Sequence, residues 1–288
     1  FWNKDENIDV ITMYLESFVS GKDFILQFLK NEIKKPVIIL KAGKTMSGMK
    51  AASSHTGALS AEDKVVEAIL NQFGIIRAND LNEMFNSAKG FENFRIPGNN
   101  RIAVITNAGG PAILAVDKLE AEGLRLAELS EETKSKLKEI VHPEGSVDNP
   151  VDLLPGGTAE IYKRVNEIVL SDFGVDAVNS IFVEPVMVKP FDVVEAVNSI
   201  NPNKPIFQVV MPLPEFWNYY RDNSKFNKPV FRNPEDPAEV ISNMLFFYNK
   251  RRANLREIYS PKKTYNFSPG FLSQEEINNI AKDYNLPI

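Results

Sequence analysis

Short apolar runs alternate with amphipathic segments along this 288-residue chain, and this alternation is the feature that most limits its possible folds. The runs are four to eight residues long and rich in β-branched residues, as is typical of buried strands. The clearest cover residues 8–15, 37–40, 101–106, 177–184 and 205–211. Because helical patterns separate them, successive strands need crossover connections and therefore lie parallel. The sequence predicts an α/β protein with flavodoxin-like parallel sheets.

Residues 93–100, NFRIPGNN, are rich in turn-forming residues and indicate a domain boundary. We expect a first domain over residues 1–95, incomplete at its N-terminus, and a complete flavodoxin-like domain over residues 96–258. Residues 259–288 are expected to form a linker and the first helix of another domain, where Ser273 and Glu276 have the spacing of a capping box. Phe1 is not a start methionine and no signal-peptide pattern follows it, so we interpret the chain as a central fragment.

Composition excludes several classes of function. The chain carries 33 basic and 38 acidic residues, a net charge of -5, so nucleic acid is not an expected partner. The absence of cysteine excludes disulfides, thiolate catalysis and cysteine-ligated metals. Two histidines leave little for a histidine metal site, although carboxylates could still hold a hard cation. No apolar run is long enough to span a membrane, and we expect a cytoplasmic protein.

His55 is one of the two histidines, and small or hydroxylated residues surround it. It lies between the apolar run 37–40 and a helical pattern that begins at about residue 61, so we expect it on a loop. Small neighbours would let a bulky polar group approach the imidazole ring, whereas a surface loop with an incidental histidine is the simpler alternative. The other histidine, His142, lies in a polar HPEG loop and is assigned no role.

Glu16 ends the first apolar run and should lie near the His55 loop, because ligands gather at the carboxyl ends of parallel strands. A carboxylate on one ring nitrogen of a histidine fixes the tautomer and makes the other nitrogen a better nucleophile. The alternative for Glu16 is a solvated carboxylate at a strand end.

A glycine turn follows the run 101–106 and leads into a helical pattern with Pro111 in its first turn. Backbone N–H groups and the helix dipole at such a turn favour an anion. The turn residues are Asn107, Ala108, Gly109 and Gly110. They form neither a Walker loop nor a complete G-x-G-x-x-G, so a purely structural tight turn stays open. Asp152, in VDNPVDL, is either a turn aspartate or part of the same site.

Residues 41–63, KAGKTMSGMKAASSHTGALSAED, resemble the phosphohistidine loop of the NDP-forming (ADP-forming) acyl-CoA synthetases, which are relatives of succinyl-CoA synthetase. That loop reads K-x-G-[RK]-[ST]-x-x-G-x-x-A-A-x-S-H-T-G-x-L. Three shorter segments also resemble the family: Tyr14-Leu15-Glu16, the TNAGGP of residues 106–111 and the NPVDL of residues 149–153. Residues 271–288 resemble the opening of an ATP-grasp domain.

The resemblance implies a role for each of these residues. His55 would be transiently phosphorylated and Glu16 would orient it, while the helix after Gly109 and Gly110 would point its positive end at the phosphate. Further implied contributions are Asn107 and Ala108 in the phosphate cradle, Ser54, Thr56 and Gly57 in support of the histidine, and Asp152 near the phosphate or the CoA tail.

The family reaction interconverts acyl-CoA, ADP and phosphate with acid, CoA and ATP, and acetate is the commonest acid. The resemblance therefore implies CoA, ATP or ADP and Mg²⁺ in the full-length enzyme, although this chain completes no motif for any of them. Implied partners are a CoA-binding domain and an ATP-grasp domain, on the same chain or a partner subunit, and a second copy of the chain. The alternatives are a ligand-sensing module, which commonly has lost the histidine, and a nucleotide- or CoA-binding α/β protein without phosphoryl chemistry.

Overall fold

Two parallel sheets flanked by helices make up most of the chain. The computed structural model describes residues 1–18, 20–30, 33–56, 63–185, 187–222, 228–254, 265, 267 and 270–284, without the side chains of residues 52–56, 221–222 and 252–254. Residues Phe1–Ala253 form one compact unit and residues Asn254–Ile288 form a second. Among the described residues, no helix is both long and apolar enough to cross a membrane.

The first sheet has three parallel strands in the order β1-β2-β3. A short 3₁₀ helix, Trp2–Lys4, precedes it. Its elements in chain order are β1 (Ile11–Leu15), α1 (Gly21–Leu29), β2 (Val37–Lys41), α2 (Met46–Thr56), α3 (Asp63–Gln72), β3 (Ile76–Ala78) and α4 (Leu81–Asn93). Ser20 is the N-cap of α1, and its hydroxyl accepts from the N–H of Asp23. Asp80 caps α4, and its side chain accepts from the N–H of Glu83.

Both faces of β2 are buried, which explains its unbroken apolar sequence. Val37 and Ile39 pack on the face that α1 and α3 cover. Ile38 and Leu40 pack on the opposite face, against α4. Because side chains alternate along a strand, Lys41 points to the same face as Ile39, toward α3.

The second sheet has five strands, with the order β5-β4-β7-β8 and with β6 also paired to β4. All its strand pairs are parallel. Its elements in chain order are β4 (Arg101–Thr106), α5 (Gly109–Ala121), β5 (Arg125–Leu126), α6 (Glu131–Lys138), β6 (Val151–Asp152), α7 (Ala159–Ser171), β7 (Ala177–Val183), α8 (Pro190–Asn198), β8 (Ile206–Met211), α9 (Pro214–Asp222) and α10 (Asp236–Asn254). The expected open parallel α/β sheets are confirmed.

An asparagine side chain completes the pairing of β4 with its short neighbours. Strand β5 pairs with Arg101 and Ile102, and β6 pairs only with the far end of β4. Between them, Asn149 accepts from Val104 N at 2.8 Å and donates to Ile102 O at 3.0 Å and Ala127 O at 2.8 Å. The amide therefore occupies the place of a peptide group and fixes β6 beside β4.

Residues 229–231 make only a single parallel bridge to the second sheet, between Val209 and Phe231. Phe231 donates to Gln208 O at 2.7 Å and accepts from Val210 N at 3.0 Å. Pro229 has no N–H to extend the ladder, and the backbone N–H groups of Arg232 and Asn233 bond instead to Asp236.

Helix α10 packs against both sheets. Its residues Val240, Ile241 and Met244 lie in the core of the second sheet. Phe246 and Phe247 pack with α4 and the first sheet. At Gly90 of α4 an added Cβ would lie 2.3 Å from Val240 Cγ1, so this glycine permits the close approach of the two helices.

The second unit contains α11 (Gln274–Tyr284). Ser273 accepts from Glu276 N at 3.2 Å, and the Glu276 carboxylate accepts from Ser273 N at 2.6 Å, which confirms the capping box. The domain boundaries at residues 95/96 and 258/259 stay predictions.

Candidate functional site

His55 lies in the last turn of α2 and not on the expected loop. The Thr45 hydroxyl accepts from Gly48 N at 3.0 Å, a bond that satisfies one donor of the first helical turn. Helix formers such as Met46, Met49 and Ala51 continue the helix. The side chains of Ser54, His55 and Thr56 are outside the described part of the structure, and Gly57 lies outside the described residues altogether.

Glycine shapes the connection between β2 and α2. Gly43 has φ 73°, a conformation that side chains rarely adopt. An added Cβ at Gly48 would lie 3.3 Å from Gly43 Cα and 3.2 Å from Thr45 Oγ1. These two glycines therefore hold the start of the histidine helix directly against the end of β2.

Glu16 lies at the carboxyl edge of the first sheet, as expected. Leu15 pairs with Lys41, and Ala42 N donates to Leu15 O at 2.8 Å, so Glu16 directly follows the last pair of the β1-β2 ladder. Glu16 is half-buried. The structure thus brings Glu16 and the connection to α2 to one sheet edge.

Four charged side chains, which we call the Arg77 cluster, lie where α3 packs on the first sheet: Lys41, Asp63, Glu67 and Arg77. Arg77 Nη2 lies 2.5 Å from Asp63 Oδ1, and Nη1 lies 2.6 Å from Glu67 Oε2. The side chain of Arg77 is only 10% exposed, and Lys41 is 2% exposed. This cluster was not predicted from the sequence, although a lysine ending an apolar strand and an arginine between Ile76 and Ala78 were both visible signals.

Electrostatics link the Arg77 cluster to Glu16. Burial lowers the pKa of Lys41. The negative charges of Asp63 and Glu16 act to raise this pKa, and the positive charge of Arg77 acts to lower it further. Burial acts to lower the pKa of Arg77, but the hydrogen bonds and charges of Asp63 and Glu67 outweigh it, so the pKa is raised. The ammonium of Lys41 donates to Ala42 O and is influenced by the charges of Asp63 and Glu16, and Arg77 is firmly held in its charged form.

Tyr14 of β1 and the loops after β2 and β3 border an open concavity of ≈ 610 Å³. Lys44 Nζ crosses it and donates to Ala78 O at 3.4 Å and Asn79 O at 3.3 Å. The loop after β2 is thereby tied to the loop after β3, which keeps the carboxyl edge of the sheet in one arrangement.

At the carboxyl edge of the second sheet, Asn107 is 3% exposed and bonds across to β7. Its amide donates to Val183 O at 2.8 Å and accepts from Val183 N at 2.9 Å. Ala108 N donates to Thr106 Oγ1 at 3.0 Å. Asn107 and Ala108 thus shape the turn through contacts within the protein.

Gly109 and Gly110 begin α5 and are exposed. The N-cap residue is Ala108, and no side chain caps the helix. An added Cβ at either glycine would meet no atom within 4 Å. Since Pro111 contributes no N–H, these two glycines present the donors of an uncapped helix N-terminus to open space, an arrangement that suits an anion.

Asp152 pairs in register with Thr106, so it lies beside this turn. Its carboxylate accepts from Leu154 N at 2.9 Å, which is the local turn bond expected of the simpler alternative. Glu184, at the end of β7, accepts from Leu213 N at 2.7 Å and was not identified from the sequence. The second sheet therefore gathers Asn107, Asp152 and Glu184 at the edge where α5 begins.

The described residues contain no cluster of three or more histidine, cysteine or acidic side chains that could hold a metal ion. The two acidic groups of the Arg77 cluster are already paired with arginine. These residues therefore offer no fit for Mg²⁺, and no chemical step is assigned to a metal bound by them. His142, exposed as expected, accepts from Glu144 N at 3.2 Å.

Two domain families match the two sheets. Residues 1–91 match the succinyl-CoA ligase like flavodoxin domain, and residues 102–208 match the Ligase-CoA domain. The chain belongs to the family of ADP-forming acyl-CoA ligases that is related to succinyl-CoA synthetase.

Among curated relatives, the α subunit of acetate–CoA ligase [ADP-forming] II of Pyrococcus furiosus is 37% identical over 239 residues, which cover 79% of this chain and 51% of that protein. The 4-hydroxybutyrate–CoA ligase [ADP-forming] of Nitrosopumilus maritimus is 29% identical over 97% of this chain and 42% of that protein. The chain thus spans about half the length of these relatives.

Among solved structures, the dinucleotide forming acetyl-coenzyme A synthetase 1 of Candidatus Korarchaeum cryptofilum, in complex with phosphate and ADP, matches with a TM-score of 0.78 and 26% identity. The match covers 87% of this chain and 55% of that one. It extends over both sheets and so supports the two-sheet arrangement described above.

Proposed function

We propose that the chain is the phosphohistidine-bearing part of an ADP-forming acyl-CoA ligase, with acetate as the preferred acid. One observation carries the proposal: the uncapped, exposed N-terminus of α5 at Gly109 and Gly110. This anion site occurs in the same compact unit as the histidine helix. The relatives named above are ADP-forming CoA ligases, which favours an enzyme over the ligand-sensing alternative.

In the proposed reaction, phosphate attacks the thioester carbonyl, the C–S bond breaks, and CoA leaves as the thiol to give an acyl phosphate. A ring nitrogen of His55 then attacks the phosphorus, the P–O bond to the acyl group breaks, and the carboxylate leaves. Finally a terminal phosphate oxygen of ADP attacks the phosphohistidine and forms ATP, which returns neutral imidazole.

The residues of the chain have separate parts in this scheme. Glu16 holds one ring nitrogen of His55 so that the other is the nucleophile. The N–H groups of Gly109 and Gly110 stabilise negative charge on the transferring phosphoryl group, and Asn107 and Ala108 shape that turn. Ser54, Thr56 and Gly57 support the histidine, and Asp152 holds the adjoining loop.

The remaining parts of the reaction belong to other domains. CoA and the nucleotide, with its Mg²⁺, would be bound by a CoA-binding domain and an ATP-grasp domain, on the same polypeptide or on a partner subunit. A second copy of the chain and a cytoplasmic location also stay predictions.

The test uses the full-length parent protein with acetyl-CoA, ADP, phosphate and Mg²⁺, and follows CoA release together with ATP formation. We expect turnover in the parent, none in His55→Ala, and unchanged turnover in His142→Ala, which removes the other histidine. Glu16→Gln should lower kcat more than it changes KM, because it alters the nucleophile and not substrate binding. Equal turnover in the two alanine variants would refute the proposal.

A further inference from the structure

We propose that Arg77 is a positioning residue that acts on Glu16 through Asp63 and Lys41. The inference rests on the proposed phosphohistidine function and extends the set of residues that support it beyond the sheet edge itself. Arg77 is the middle residue of β3, beside Ile39 of β2, and its guanidinium forms ion pairs with Asp63 and Glu67 of α3.

The register of the first sheet places these groups in one row. Arg77 pairs with Ile39, Lys41 follows on the same face two residues later, and Lys41 pairs with Leu15 directly before Glu16. Helix α3 covers this face through Val66 and Leu70. Since α3 leads back to the amino end of β3, its first residue, Asp63, lies at the carboxyl edge of the sheet with Lys41 and Arg77.

The charges alternate across that row: Glu16, Lys41, Asp63 and Arg77. Asp63 is shared, because Arg77 bonds to it at 2.5 Å while the charge of Asp63 also acts on Lys41. With Arg77 present, Asp63 is neutralised and the ammonium of Lys41 interacts more strongly with Glu16. Without Arg77, Asp63 would draw Lys41 toward α3 and leave Glu16 less firmly held.

The ion pairs of Arg77 also fix the start of α3, the helix that follows the histidine helix α2. Helix α2 ends at Thr56 and α3 begins at Asp63. Gly43 and Gly48 hold the start of α2, and the two ion pairs of Arg77 hold the first turns of α3. Both ends of the His55 segment are therefore anchored to the sheet edge that carries Glu16.

The experiment compares Arg77→Met and Arg77→Lys in the full-length parent and measures phosphohistidine formation from Mg²⁺-ATP as a function of pH. Loss of the Arg77 charge and withdrawal of Lys41 leave the charge of Glu16 less compensated, so the imidazolium is stabilised more and the acidic limb of the rate profile should move to higher pH. We expect Arg77→Met to slow phosphorylation about tenfold or more and to shift that limb. Arg77→Lys should recover part of both effects.

Two further variants separate positioning from folding. Arg101→Met removes an arginine–aspartate pair of 2.8 Å at the start of β4, and it should leave the rate profile unchanged. Asp63→Asn alone should not shift the limb in the direction of Arg77→Met, because no unpaired carboxylate then draws Lys41 away from Glu16. Added to Arg77→Met, it should move the limb back toward the parental position.

The outcomes are distinct. A folded Arg77→Met with the parental rate and limb would overturn the inference, as would a double variant whose limb stays where Arg77→Met places it. If Arg77→Met does not fold, Arg77→Lys decides: a limb shifted part of the way supports the inference and a parental limb overturns it. Failure of the proposed function would be seen separately, as absence of phosphohistidine in the parent itself.

Discussion

At the scale of single residues, Asn149 shows how a loop side chain can determine the position of a strand. It makes three hydrogen bonds to the backbone of β4 and the end of β5. Asn149 precedes Pro150 in the NPVDL segment, but within that segment only Asp152 was predicted to have a role in the site. Side-chain amides that substitute for a peptide group leave no periodic signal, so this role could not be read from the sequence.

Replacing Asn149 by alanine should lower the free energy of unfolding by about 2–3 kcal/mol, because Val104 N–H and Ile102 O lose a partner inside the sheet. Urea denaturation of the purified protein measures the difference. Asn99→Ala is the matched control, since Asn99 is exposed and makes one local bond, to Asn100 N. Equal stability of the two variants would show that the amide does not support β6.

The charged residues differ in how far the sequence revealed them. Glu16 was found because it follows a strand that ends at a predicted ligand edge. Asp63 and Arg77 were not found, because their pairing joins a helix start to a strand 14 residues later. Such a pair depends on the packing of α3 on the sheet, which periodicity predicts only as an apolar stripe.

At the scale of elements, α2 is the one that was predicted wrongly from the sequence. The run of small and hydroxylated residues around His55 indicated a loop, because serine, threonine and glycine are weak helix formers. Thr45 caps the helix, and the turn at Gly43 brings its first residues against β2. Strands β1 and β2 of the first sheet were predicted to within about three residues, because continuous apolar runs mark them.

Two other elements, α6 and α7, meet at Asp172. Its carboxylate accepts from Ser130 N at 2.8 Å, at the start of α6, and from Gly174 N at 2.7 Å. Burial acts to raise the pKa of Asp172, but the hydrogen bonds from Thr133, Ser130 and Gly174 outweigh it and lower the pKa to about 2.

The depressed pKa of Asp172 predicts a specific pH dependence. A carboxylate with a lower pKa in the folded state stabilises the protein above its unfolded pKa of about 3.9, and this contribution is lost as the pH falls through about 2. Asp172→Asn should therefore cost about 1–2 kcal/mol at neutral pH, with a gap that closes progressively below pH 4. Urea titrations from pH 7 to 3 measure it, with the exposed Asp148→Asn as control. A gap that stays constant down to pH 3 would contradict the assignment.

At the scale of the whole molecule, α10 joins the two sheets into one compact unit. Besides its apolar contacts, Asn243 of α10 donates to the Glu83 carboxylate and to the Ser87 hydroxyl of α4, both at 3.0 Å. The sequence predicted two sheets and a boundary near residues 93–100, but it could not show that a helix about 140 residues later packs on both. Contacts between distant elements depend on shape, and α10 has apolar residues on several sides and therefore no single face to identify its partner.

The same arrangement places two proposed parts of one reaction in a single unit: the histidine helix on the first sheet and the uncapped α5 on the second. Family resemblance predicted both parts from the sequence, whereas the charges that support Glu16 became visible only in the structure. Both parts serve the proposed reaction only if His55 carries the phosphoryl group after the acyl phosphate has donated it and before the nucleotide accepts it.

The most direct test of a phosphoryl group bound to His55 is to incubate the full-length parent with Mg²⁺ and γ-labelled ATP and to locate the label on the protein. We expect label that is lost in acid and survives alkali, that maps to His55, and that is absent from His55→Ala but present in His142→Ala. Label that persists in a folded His55→Ala, or a folded parent that takes up none, would contradict phosphoryl transfer through His55.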